Sequence, residues 1–193
     1  MDLHSLLNNF SYIAIFLLMT TNGIMNLPPS QFLYPIAGYL VSTSALLFAP
    51  TVIAGALGNT LGNIITYLLV KKYDKPFARK LLMVDEATFN KIHTALHRTF
   101  ARRGMWYIFI GKLTPSVKAF VPAVAGLAST EFRLTSFLFL IASFIWATGL
   151  VALGYFFGEH ASISSLTIVS FLIAFIVIGL IYRSMKKELT KKP

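Results

Sequence analysis

Apolar residues run along this chain in long blocks separated by shorter polar ones. Residues 51–70 form one such block, about the 20 residues a helix needs to cross a bilayer core. Blocks 132–157 and 166–182 read the same way. The turn between them, 158–165, contains Glu159 and His160 but no Lys or Arg. Residues 10–25 are apolar but interrupted by Thr20, Thr21 and Asn22, and residues 32–49 are apolar again. Between them lie Pro28 and Pro29, which stop a single helix from running through. Residues 71–104 are polar and basic. After an aperiodic start, Leu81, Leu82, Val84, Phe89, Ile92 and Leu96 recur as on an amphipathic helix at a membrane interface. Residues 105–127 are apolar for the most part, yet hold Lys112, Lys118, Pro115 and Pro122.

Composition agrees with a membrane chain. Of 193 residues, 56% are hydrophobic and 12% charged, about half the charged share of a soluble domain. Mean hydropathy is +0.70. The fold class expected is an all-α integral membrane domain spanning 1–193. With no cysteine in the chain, disulfides and thiolate metal sites are ruled out. His93 and His97 stand four apart, but in a basic segment without a flanking Glu, and read as a solvated helix face. His4 and His160 are isolated. No metal or cofactor is expected.

The net charge of +10 raises nucleic acid as a partner, and its distribution argues against it. Nine basic residues lie in 71–104 and five in the tail 183–193. Bunching beside apolar spans is the positive-inside pattern, and it suits anionic cytoplasmic lipids. Both segments are therefore placed in the cytoplasm. The weakly charged N-terminus has no cationic start or small-residue cleavage site, and is read as retained rather than as a signal peptide.

Segment 105–127 begins after Arg103 and ends before Arg133, so both ends belong on the cytoplasmic side. It should enter the membrane and turn back. Non-helical backbone at that depth survives only where protein or a wet cavity satisfies it. Segment 26–50 reads as a counterpart entering from the opposite face. The expected architecture is two opposed re-entrant helical loops, three to four spanning helices and a cytoplasmic amphipathic helix, with a thin polar barrier at mid-membrane.

Three motifs, covering roughly residues 20–150, resemble the DedA family, also called the VTT or SNARE-associated domain. The first is Phe109-x2-Lys112-x2-Pro115-x2-Lys118-x3-Pro122-x2-Ala125-Gly126. The second is Gly58-x3-Gly62-Asn63-x3-Tyr67, ending at Lys71. The third runs from Asn22 through Pro28-Pro29-Ser30-Gln31-x3-Pro35-x-Ala37-Gly38. The resemblance implies a lipid-moving membrane protein linked to proton motive force, with undecaprenyl phosphate and phospholipids as substrates. This chain departs from the family pattern in two ways. Lysine stands in place of both motif arginines, and Asn22, Gln31 and Asn63 stand where the family carries acidic residues. Amides hydrogen-bond but do not titrate. Glu131 and Glu159 remain, at span ends, where an interfacial role is the plainer reading.

The candidate substrate-binding residues are Lys112, Lys118, Asn22, Gln31 and Asn63. In a continuous helix, residues six apart differ by about 240° in azimuth. A turn at Pro115 removes that constraint and lets both ammonium groups face one cavity, a trap for a phosphate headgroup. The competing reading is that both lysines snorkel to the interface. Pro28, Pro29, Pro115 and Pro122 are assigned to loop-making. Gly58, Gly62 and Gly126 are assigned to close helix approach, and Tyr67 and Trp146 to packing. The function expected is translocation, by flipping or scrambling, of phosphate-bearing lipids in a bacterial plasma membrane, without catalysis. The alternatives are an ion- or proton-coupled solute transporter and a non-transporting membrane adaptor. A homo-oligomer is compatible with the sequence.

Overall fold

A computed structural model of the chain describes residues 3–103, 105–115 and 117–158, with side-chain surroundings from Ser11 onward except at 96, 97 and 99–103. The apolar block 166–182, the basic tail 183–193, Glu159 and His160 lie outside the described residues, as does the side chain of His97. Among the described residues the fold is helical throughout, in seven helices: α1 (Leu3–Met25), α2 (Ser30–Ser42), α3 (Phe48–Leu82), α4 (Glu86–Arg103), α5 (Trp106–Lys112), α6 (Val121–Leu127) and α7 (Phe132–Gly158). α3 and α7 are the two long and apolar enough to cross a membrane.

α1 and α2 form a hairpin. α1 ends at Asn26, whose φ of 57° lies in the left-handed region that asparagine tolerates at a helix C-terminus. The prolines at 28 and 29 hold the turn, and α2 starts at Ser30. The first arm runs beside α3 in the same direction. The Tyr12 hydroxyl accepts from the Leu47 N–H at 2.9 Å, and Thr66 donates to the Ile24 carbonyl at 3.3 Å. The hairpin tip therefore lies against the middle of α3, and α2 returns toward its start. Segment 26–50 thus holds only the tip, the return arm, the turn 43–47 and the first residues of α3; the outgoing arm is α1 itself.

A second hairpin comes from α5 and α6. Each arm has seven residues, about 10 Å of helix and a third of a hydrocarbon core. Thr114 closes the turn, its carbonyl accepting the N–H groups of Val117 at 3.0 Å and Lys118 at 2.9 Å. Pro115 lies in this turn. Pro122 does not: it stands in the first turn of α6, where a missing N–H leaves no helical bond unmade. Gly126 then brings the returning arm against the Tyr67 carbonyl of α3.

The helices associate in two glycine-packed pairs. In α1/α3, a Cβ on Gly62 would overlap the Thr20 carbonyl oxygen, one on Gly23 that of Asn59, and one on Gly58 that of Phe16. In α2/α7, a Cβ on Gly38 would overlap the Val151 carbonyl, and one on Gly154 that of Pro35. Backbone-to-backbone approach of this kind is how helices associate where lipid supplies no hydrophobic drive. Outward faces carry the apolar side chains: Leu57, Leu61, Leu68, Phe137 and Ile145 are all exposed.

The basic segment differs from its sequence reading. α3 does not stop at residue 70 but runs to Leu82, kinked at Asp74 with φ 63°. Pro76 follows, and has no N–H for the Lys72 carbonyl. Met83, at φ 53°, ends the helix. The expected amphipathic helix is therefore two pieces. Leu81, Leu82 and Val84 come from the end of α3 and the turn, and Phe89 from α4. They fold together over Val70, Ala78 and Ala123.

Candidate functional site

The tips of the two hairpins meet between the helix pairs, and the polar residues of the interior collect there. From the α1/α3 side come three asparagines in a chain of hydrogen bonds. Asn22 donates to the Pro28 carbonyl at 2.7 Å, which ties the helix end to the proline turn. Asn59 donates to Asn22 Oδ1 at 2.9 Å, and Asn63 donates to Asn59 Oδ1 at 3.0 Å. The chain ends on Lys112, whose Nζ donates to Asn63 Oδ1 at 2.9 Å. From the α2/α7 side, Ser143 donates to Asn59 Oδ1 at 2.9 Å, and Trp146 Nε1 to Ser30 Oγ at 3.2 Å. Lys118 donates to that same Ser30 oxygen.

Both lysines are buried, 6% and 5% exposed. Neither snorkels. Each ammonium also faces an aromatic ring of α7: Lys112 lies 5.8 Å from the centroid of Phe139 and Lys118 lies 5.0 Å from that of Trp146. These contacts attract a cation through the ring quadrupole without neutralising it. Among the described residues the one ion pair joins Arg79 to Glu86, far along the chain from both. Among the described residues no carboxylate lies within ion-pair distance of either ammonium. An ammonium carries three donors, and among the described residues each has one protein oxygen as acceptor. Two buried lysine side chains are thus held where the two hairpins meet the helix pairs.

The structure brings Asn22, Asn63, Lys112 and Lys118 into this network. It places Gln31 at the edge: Gln31 is half-buried, and its Oε1 accepts from Ser30 Oγ at 3.5 Å. No hydrogen bond joins it to Asn22 among the described residues. Pro28 belongs to the site directly, through its carbonyl. Gly58, Gly62 and Gly126 serve close approach, and Tyr67 packs under the second hairpin with its hydroxyl donating to the Thr130 carbonyl at 2.5 Å. Four residues enter that sequence reasoning had left out or set to packing: Ser30, Asn59, Ser143 and Trp146. Asn59 stands one turn before Asn63, and Phe139, Ser143 and Trp146 share one face of α7, so helical spacing was the available signal.

Comparison with known proteins follows the same lines. The VTT domain family matches residues 27–156. An "Alkaline phosphatase-like protein" of Lactococcus lactis is 28% identical over 191 residues, covering 91% of this chain and 88% of the relative. The "Uncharacterized membrane protein YkoX" of Bacillus subtilis is 27% identical, covering 93% and 81%. The "Undecaprenyl phosphate transporter A" of Staphylococcus aureus is 22% identical, covering 77% and 74%. No solved structure matches the chain. Among the described residues no group of three His, Cys, Asp or Glu lies together. The matched domain covers most of the chain and contains both hairpin tips and both lysines, and the chain belongs to the VTT domain, or DedA, family of integral membrane proteins.

Proposed function

We propose that this protein moves phosphate-bearing lipids across a bacterial plasma membrane. The observation that carries the reading is the pair of buried amino groups, Lys112 and Lys118, set without a carboxylate partner among the described residues where the two hairpins meet. A phosphate headgroup supplies the missing charge and accepts several hydrogen bonds at once. Lysine holds phosphate as a point charge and tolerates varied geometry, which fits a headgroup in transit better than one held for good. Asn22, Asn59 and Asn63 give the headgroup neutral partners along the way. Acyl chains stay in the bilayer outside.

In this reading both hairpins are re-entrant. The α5/α6 hairpin dips from the cytoplasmic side, with 71–104 in the cytoplasm, and the α1/α2 hairpin dips from the opposite side. The barrier between the two faces is then only the layer where their tips meet. The asparagines do not titrate, so they carry no protons across themselves. The name of the Staphylococcus relative favours undecaprenyl phosphate among the substrates.

Flux in proteoliposomes tests the proposal. Fluorescent short-chain phosphatidic acid and undecaprenyl phosphate should cross faster than in empty vesicles, and phosphate-free diacylglycerol should not. Equal rates with and without verified, inserted protein would overturn it in favour of a membrane adaptor.

A further inference from the structure

One buried hydroxyl between the helix pairs takes no part in the network. Tyr34 of α2 is 1% exposed, and among the described residues its hydroxyl has no hydrogen-bond partner. Its ring leans across the seam between the helix pairs and fills the notch left by Gly55 of α3. A Cβ on Gly55 would overlap the ring and lie 3.1 Å from the phenolic oxygen. Around it are apolar side chains from both pairs: Met19, Val52 and Ala56 on one, Val41, Ala147 and Val151 on the other.

A buried hydroxyl without a partner is costly, and native interiors seldom keep one without a reason. Phenylalanine would fill the same notch without that penalty. Position supplies a reason. Tyr34 lies one helical turn beyond Ser30 on α2, and Gly55 lies one turn before Asn59 on α3. Ser30 and Asn59 are the residues that join Lys118 and the asparagine chain. A headgroup leaving the lysines toward the start of α3 meets Tyr34 next, where its ring abuts Gly55 of α3.

We infer that Tyr34 is the gate on that side of the lysine site: its ring closes the seam, and its hydroxyl donates to the phosphate of a lipid headgroup as the pairs part. This rests on the translocation reading above. A neutral donor beyond two cations lets the phosphate leave them stepwise without binding it a second time. The phenol bonds no other group among the described residues, so its loss is felt in transport.

Tyr34→Phe tests this, in two readouts on the full chain. The probe for flux is fluorescent short-chain phosphatidic acid in phosphatidylcholine proteoliposomes, with native protein and Lys118→Ala alongside. The second readout is the melting temperature in detergent without added lipid. The inference predicts flux about tenfold slower for Tyr34→Phe, as for one lost hydrogen bond to a charged group, and a melting temperature no lower than native. If native flux is fast and Lys118→Ala stops it while Tyr34→Phe keeps the native rate, the gate is overturned and the translocation reading stands. A lower melting temperature for Tyr34→Phe would make the hydroxyl a structural group and overturn the gate as well. A native chain that moves no phosphatidic acid overturns both.

Discussion

The ammonium of Lys112 donates to Asn63 Oδ1 across 2.9 Å, from the tip of the second hairpin to the middle of α3. The resemblance to the family puts an acidic residue at that position; here an amide accepts the hydrogen bond and leaves the charge in place. Asn63→Asp would restore a carboxylate with little change of shape and turn the contact into a buried ion pair. The trap would then lose half its positive charge. We expect phosphate-lipid flux to fall about tenfold, equivalent to ~1.4 kcal/mol, and its dependence on pH to differ from that of the native chain. Flux compared at several pH values checks this, and a rate and pH profile unchanged from native would count against the role given to Asn63.

The glycine-packed pairs predict a contrast within one helix. Gly154 sits against the Pro35 carbonyl, whereas Gly149, also on α7, has nothing among the described residues within 4 Å of the place its Cβ would take. Gly154→Ala should force α2 and α7 apart and cost about 1–3 kcal/mol. Gly149→Ala should be neutral or stabilising by up to about 1 kcal/mol, from helix propensity. Thermal unfolding in detergent compares them directly. Equal effects would mean that the close approach of α2 and α7 contributes nothing.

The absence of cysteine makes topology directly measurable. Trp106, before the second hairpin, and Glu131, after it, are both exposed, as is Leu47 at the turn leading into α3. With single cysteines at these positions in oriented vesicles, a membrane-impermeant maleimide should label 106 and 131 from one face and 47 from the other. Labelling of 106 and 131 from opposite faces would show that the segment crosses the membrane rather than turning back.

Asp85 caps α4: its Oδ1 accepts the Thr88 N–H at 2.9 Å. Bonds from the Thr88 side chain and backbone hold its carboxyl below its ordinary value. A carboxyl whose value is depressed in the fold adds stability above its unfolded value and loses it as the pH falls through the folded one. The first turn of α4 should therefore fray in acid and not at neutral or alkaline pH. Asp85→Asn, which keeps a capping oxygen, should remove most of this acid sensitivity. Amide exchange of residues 86–89 across pH reads the effect, and acid sensitivity persisting unchanged in the variant would assign it to another group.

Much of this arrangement was legible in the residues because lipid narrows the choices. Apolar blocks marked α3 and α7, and a doubled proline marked the tip of the first hairpin. Lysines flanking Pro115 in an apolar segment marked the second. What stayed hidden depends on contacts between distant segments. Nothing local says that α3 continues past Val70 through a kink at Asp74, because helix propensity does not stop at a membrane boundary. Pro122 looked like a breaker, but the same ring suits a first turn. Ser30, Ser143 and Trp146 are ordinary residues on their own helices and become a site only once α2 and α7 pack on Gly38 and Gly154. Gln31 looked equivalent to Asn22 by motif, yet α2 turns Ser30 inward and leaves Gln31 at the rim.

The central claim is that Lys112 and Lys118 are buried for their charge and not for the fold. Methionine at either position keeps an apolar stem of similar length and removes the uncompensated ammonium. The measurement is phosphatidic acid flux and melting temperature together, for native protein, Lys112→Met and Lys118→Met, with and without a pH gradient. The account predicts that each variant melts at or above the native temperature, since an unpaired buried charge has been removed, while flux falls at least tenfold both with and without the gradient. Variants that melt lower and transport at the native rate would contradict it, showing that the two lysines hold the hairpin in place and bind nothing that moves.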